Sequence, residues 1–298
     1  MKRKKIKKPI ACFYKTNSEW RNQKMRVKKP MILITLASFV MSVVLLSGCT
    51  GGYVPGVFKQ VNEQSVSMDG ITNFEIDFDV RNISLLSTEG DTLEIRDFML
   101  KDNDDYYSTV SVTGGTVTVS AKPQNAHGVI GQTLKVEIAI PKTFRGAFSM
   151  SLASGEVYAE TDLKHLDNIS LDLQNGQMNM QKLEAQNISL EVANGTIKTG
   201  NTKGKAAFSV QSGTIAVLMD ELADDLSLNA ASGTLYLTLP HGTAFHLNAK
   251  AERGTVSVTG VQEAVHASGK TVSKAIGASP KHTITASAGS GTVDISVK

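Results

Sequence analysis

Asp172 and Glu191 each stand four residues ahead of a glycine in a phrase that the chain repeats. If the phrases stack as neighbouring strands, the two carboxylates lie one strand spacing apart, about 4.8 Å. Glycosidases that retain configuration hold two carboxyl groups about 5 Å apart, so the spacing permits sugar chemistry. Glu156 follows its glycine by one residue and leaves that column. No other feature supports a hydrolase. There is no GxSxG elbow around Ser212 or Ser232. Trp and Tyr platforms for sugars are not expected, since Trp20, the only tryptophan, precedes the repeats. The acidic run Asp102, Asn103, Asp104 and Asp105 offers hard oxygen ligands, but it lacks the glycine and the distant Glu of the known calcium loop. Asp220, Glu221, Asp224 and Asp225 read as a solvated corner between repeats. His127, His165, His241, His246, His266 and His282 are scattered, with no HxxxH pair and no Cys beside them. The sequons at Asn82, Asn168 and Asn187 read as strand residues. The expectation is a chain without catalytic residues, metal site or cofactor.

One residue does have chemistry to do. Residues 31–46, MILITLASFVMSVVLL, are uncharged and follow Arg26, Lys28 and Lys29. A short basic stretch before a short apolar run is the pattern of a secretory signal, and sixteen residues fall short of the ~20 needed to span a bilayer. The run ends in Leu46-Ser47-Gly48-Cys49, which resembles the lipobox of bacterial lipoproteins. That resemblance implies signal peptidase recognition at Leu46, Ser47 and Gly48. It also implies diacylglyceryl transfer to the Cys49 thiol, which becomes the mature N-terminus. Residues 1–48 are thus expected to be a signal peptide, with Met25 as an alternative start. Twelve of the 31 Lys/Arg and one of the 28 Asp/Glu lie in those 48 residues, so the remainder carries 19 basic and 27 acidic residues, a net charge of −8. An acidic remainder repels phosphate, which argues against nucleic acid as a partner. Cys12 leaves with the leader and Cys49 takes lipid, so no disulfide is available.

Behind this address lies a repeat. The phrases SLASGEVY, LDLQNGQMNM, LEVANGTIK, FSVQSGTIAV, LNAASGTLYLTL and ASAGSGTVDISV share a glycine flanked by alternating apolar residues. With Gly254 included, the column runs Gly155, Gly176, Gly195, Gly213, Gly233, Gly254 and Gly291, at gaps of 21, 19, 18, 20, 21 and 37. Two residues on stand Val157, Met178, Ile197, Ile215, Leu235, Val256 and Val293, all apolar. Period-two alternation on both sides of a Ser/Asn-Gly turn means two half-buried strands per unit. One unit cannot cover its own apolar face, but stacked units form a continuous core. The expected fold is all-β, with residues 146–298 as a parallel β-solenoid of about 20 residues per turn. The alternative is an antiparallel meander or sandwich with each Asn-Gly or Ser-Gly as a hairpin turn. Residues 259–280 interrupt the pattern, as either a degenerate rung around Gly269 or a protruding loop.

Residues 49–64 read as the lipidated cysteine and a Gly/Pro-containing tether, and residues 65–145 as an N-terminal β cap with irregular first rungs. ITNFEIDFDVRNISLLST, LKVEIAIPKTF and the repeated SGxVxA and NGxIxxx units are similar to the bacterial adhesin-like family called domain of unknown function 4097. That resemblance spans about residues 65–298 and implies an extracytoplasmic β-solenoid-like domain, often near envelope-stress regulators, with no catalytic motif to transfer. The expectation is an exported protein, lipid-anchored at the extracytoplasmic face of the cell membrane, acting as a non-catalytic binding, adhesin-like or scaffold module. Its partner would be an envelope protein or cell-wall glycan. The alternatives are a regulatory partner of a membrane stress sensor and a polysaccharide-cleaving enzyme on the same scaffold.

Overall fold

Alternation sets the strands and the glycines bend them. The computed structural model describes residues 58–122 and 134–298; the signal peptide, Leu46, Ser47, Gly48, Cys49 and His127 lie outside the described residues. In Leu226–Leu239, the apolar residues Leu226, Leu228 and Ala230 are buried, and beyond Gly233 so are Leu235, Leu237 and Leu239. The buried parity switches at the corner from even to odd numbers, so both arms turn their apolar sides into one core.

The described residues form one open, mixed sheet of 15 strands. Strands β1 (Lys59–Ser67), β2 (Asn73–Thr88), β3 (Thr92–Met99), β4 (Thr109–Thr113), β5 (Thr116–Ser120) and β6 (Lys135–Pro141) build one end. Strands β7 (Ala147–Ala159), β8 (Leu163–Met180), β9 (Leu183–Thr199), β10 (Thr202–Leu218) and β11 (Leu226–Leu239) follow in chain order and pair in parallel. Strands β12 (Phe245–Thr259), β13 (Val265–Ser268), β14 (Thr271–Ile276) and β15 (Thr283–Val297) complete the other end. Within the parallel stack each glycine lies opposite the next, from Gly155 through Gly176, Gly195, Gly213 and Gly233. Ladder bonds therefore run through the corners, and these glycines are bends within single strands rather than hairpin turns.

Four expectations need correction. First, the sheet is not parallel throughout: β1, β3 and β6 pair antiparallel at one end, as do β13 and β14 against β12 at the other. These pairs cover the ends of the parallel stack, where open edges would invite further strand addition. Second, the rungs do not follow chain order, because β15 lies between β11 and β12 and pairs Gly291 with both Gly233 and Gly254. The 37-residue gap is thus no skipped rung. Residues 265–276 form the antiparallel β13 and β14, with the Gly269 N–H donating to the Gly254 carbonyl at the corner. Third, β2, read among the irregular first rungs of the cap, is a full-length rung, pairing with β7 from Asn73 to Leu85 and placing Arg81 opposite Gly155. Fourth, residues 59–64, read as tether, belong to β1.

Like residues meet across the rungs. Asn187 donates to Asn168 at 2.9 Å and Asn194 to Asn175 at 3.2 Å, while Phe74 stacks on Phe148 with centroids 5.1 Å apart. The asparagine ladders are exposed, so Asn194→Ala should cost no more than about 1 kcal/mol, as expected of a solvated hydrogen bond. Urea denaturation would check it.

Candidate functional site

The outward positions of the second arms carry the most distinctive surface. Along one row the register sets Tyr158 beside Asn179, Asn179 beside Lys198, Lys198 beside Ala216 and Ala216 beside Tyr236. Four strand steps separate the two tyrosines, about 19 Å. Alternation requires this placement: Val157 and Ala159 point inward, and so do Leu235 and Leu237, leaving each tyrosine outward. Tyr158 is 38% and Tyr236 48% exposed, and Leu218 beyond them is 60% exposed. Tyr158 donates its hydroxyl to Glu156 at 2.8 Å, and this bond raises its phenol above the ordinary value.

A groove of about 610 Å³ follows this row, bounded by Tyr158, Met180, Lys198, Leu218 and Tyr236. At Glu160 and Gln181 it meets a second groove of about 600 Å³, floored by Leu86, Ile140, Phe144 and Leu163. Thr161 lines this second groove, and its Oγ1 is buried without a protein hydrogen-bond partner among the described residues. His165, also on its wall, has φ of 61°, an uncommon backbone for a non-glycine residue. Its Nδ1 lies 3.1 Å from Glu184, which also accepts from Lys203 at 3.1 Å. The result is an open channel with an aromatic at each end of one side and amides and a lysine between.

The structure places the sequence candidates elsewhere. Asp172 and Glu191 do pair in register, but both are exposed on the first arms and line neither groove. Asn103 caps a 3-10 turn at Asp104–Tyr106, Asp102 accepts from Tyr107 at 2.6 Å, and Asp105 pairs with Lys122 at 2.9 Å. Hydrogen bonding to Asp102 pushes the Tyr107 phenol up to about 12. These acids thus have protein partners and build a turn. Asp220 bonds Asn201 of the neighbouring rung. His241, His246 and His266 are exposed, whereas His282 lies beside Asp224 and Asp225. The column glycines line the bend and touch neither groove except through their strands. The tyrosine row escaped the sequence reading because Tyr158 and Tyr236 are 78 positions apart. The usable signal was that both stand three residues after a column glycine.

The Toastrack DUF4097 family model matches residues 71–203 and 165–296. No curated protein matches the chain. Among solved structures, a putative cell adhesion protein from Clostridium sporogenes is similar at 14% identity and TM-score 0.40, covering 81% of this chain and 100% of its own. A putative adhesin from Bacteroides fragilis shows 13% identity and TM-score 0.39, with 78% and 96% covered. A putative lipid binding protein from Parabacteroides distasonis shows 11% identity and TM-score 0.32, with 78% and 96% covered. The two family matches together run from the first rung into the last strand, so the chain belongs to the Toastrack DUF4097 family.

Proposed function

We propose that the protein is an exported lipoprotein, held by Cys49 at the extracytoplasmic face of the cell membrane, whose sheet binds cell-wall glycan without cleaving it. The observation that carries this is the tyrosine row bordering the joined grooves. Tyrosine faces stack on the C–H faces of sugars, while Asn179, Gln181, Lys198 and Thr238 offer hydrogen-bonding groups between them. A channel that crosses several rungs suits an extended polymer, and contacts repeated along it sum into avidity. We read the parallel stack as a β-solenoid of about 20 residues per turn, supported by the in-register glycine column.

The test is retention of the purified protein on wall preparations from the producing organism, beside solubilised membrane from the same cells. Tyr158→Ala combined with Tyr236→Ala should weaken wall retention at least about tenfold, equivalent to ~1.4 kcal/mol. Unchanged retention would remove the row from the binding face. Enrichment of one membrane protein instead of wall would favour the stress-sensor partner, and release of shortened glycan would make the protein an enzyme. Cys49→Ser should move the exported protein from the membrane to the soluble fraction, because the acyl chains supply the anchor. Membrane retention of that variant would overturn the lipid anchor.

A further inference from the structure

Asp224 and Asp225 close the connection into β11, and His282 immediately precedes β15. The two strands pair from Leu226 and Ile284 onward, which brings segments 57 positions apart to one point. There, one ligand atom each from Asp224, Asp225 and His282 lies within 4.8 Å of the others. We propose that these three side chains bind one divalent transition metal ion of the zinc class, completed by water.

Two features separate this cluster from an ordinary acidic corner. The first is the imidazole, contributed by a different part of the chain from the carboxylates. Nitrogen and carboxylate donors together suit zinc and its first-row neighbours, whereas calcium takes oxygen ligands alone. The second is electrostatic. Neither carboxylate has an ion-pair partner among the described residues. Asp224 accepts the Asp225 N–H at 2.8 Å, and Asp225 accepts the Thr283 N–H at 2.7 Å. Each bond fixes a carboxylate through one oxygen and leaves its second oxygen to ligate. The backbone of His282 is fixed from the far side, its carbonyl accepting from the His246 N–H at 2.9 Å.

The position gives the ion a task. Between β11 and β15 the rung sequence departs from chain order, and β15 must enter a space already flanked by β11 and β12. Such a closure costs chain entropy, and residues 58–298 contain no cysteine for a disulfide. A metal bound by the native arrangement alone would add its binding free energy to folding and fasten the start of β15 to the start of β11.

Isothermal titration of the chelator-treated full chain with zinc should show saturable one-to-one binding with Kd below about 100 µM, and calcium should not compete. Zinc at about 100-fold over Kd should raise Tm by roughly 4–10 °C. His282→Gln and Asp224→Asn should each weaken zinc binding at least about tenfold and remove the rise, while the metal-free Tm stays near that of the parent. His241→Ala is the control for adventitious histidine binding and should change neither readout. Absence of saturable zinc binding to the parent overturns the site, as does binding that both variants retain in full. A variant whose metal-free circular dichroism departs from the parent is replaced by Asp225→Asn, which keeps the oxygen that caps Thr283.

Discussion

Gly233→Ala should unfold the sheet or leave it insoluble, with a loss of at least about 4 kcal/mol. A Cβ at this position would lie 1.8 Å from the Gly213 carbonyl oxygen and 2.8 Å from its carbon, and φ is 146°. Both obstacles are backbone, so no rotamer change relieves them. The same contact recurs along the column: Gly291 rests on Gly233, Gly254 on Gly291, and Gly155 on the carbonyl of Arg81. Moving one corner would break the ladder bonds to both neighbours, which are themselves fixed. Gly242→Ala is the comparison: its φ of 81° carries backbone strain, but nothing lies within 4 Å of the added methyl. That variant should lose only about 1–2 kcal/mol. Guanidinium unfolding of both proteins separates steric closure from conformational preference, and equal losses would refute the stacked-corner explanation.

Asp97→Ala should cost about 3–5 kcal/mol, the range for breaking a buried charge cluster from one side. Arg81 occupies the glycine column in β2, where the outer neighbours leave a gap: β5 pairs as far as Asp77 and β6 begins at Asn82. The side chain fills that gap at 2% exposure, with its guanidinium 5.2 Å from the Phe78 ring and donating to the Val80 and Tyr106 carbonyls. Burial pushes the guanidinium below its ordinary value, and the charges of Asp97 and Asp79 oppose that shift. Asp97, 1% exposed, accepts from Ser108 N–H at 2.9 Å, Ser108 Oγ at 2.6 Å and Asn62 Nδ2 at 2.9 Å. Removing the carboxylate strands three donors and takes away the larger of the two charges that compensate Arg81. Ser108→Ala should cost only about 1–2 kcal/mol, since one donor is lost and the charge remains. Arg81→Met combined with Asp97→Asn should cost less than the sum of the single changes. Strict additivity would show that the two charges act independently.

The repeated strands were legible because side-chain period and turn glycine are local properties, written once per unit. Val157, Ile197, Leu235 and Val293 stand in one column of the sequence and in one buried row of the sheet. Parallel neighbours place like beside like, which is why Asn187 meets Asn168 and Asn194 meets Asn175. Arg81 hid the first rung because a charged residue stands where the other rungs have glycine. Its cost is offset by the Tyr106 carbonyl and by the charge of Asp97, neither of them near in sequence.

By itself the sequence determined the strand period, the glycine column, the inward columns and the membership of residues 71–296 in one repeating family. These depend on interactions within a unit or between identical units, which repetition makes visible. Tertiary structure alone decided that β15 enters between β11 and β12, that antiparallel strands cover both ends, and that Tyr158 and Tyr236 share a groove. It also decided that His282 meets Asp224 and Asp225. Alternation tells each strand which face to bury but not which neighbour to choose, because every rung presents nearly the same edge. The choice among equivalent edges depends on connection length and on the contacts at the ends, which no local pattern records.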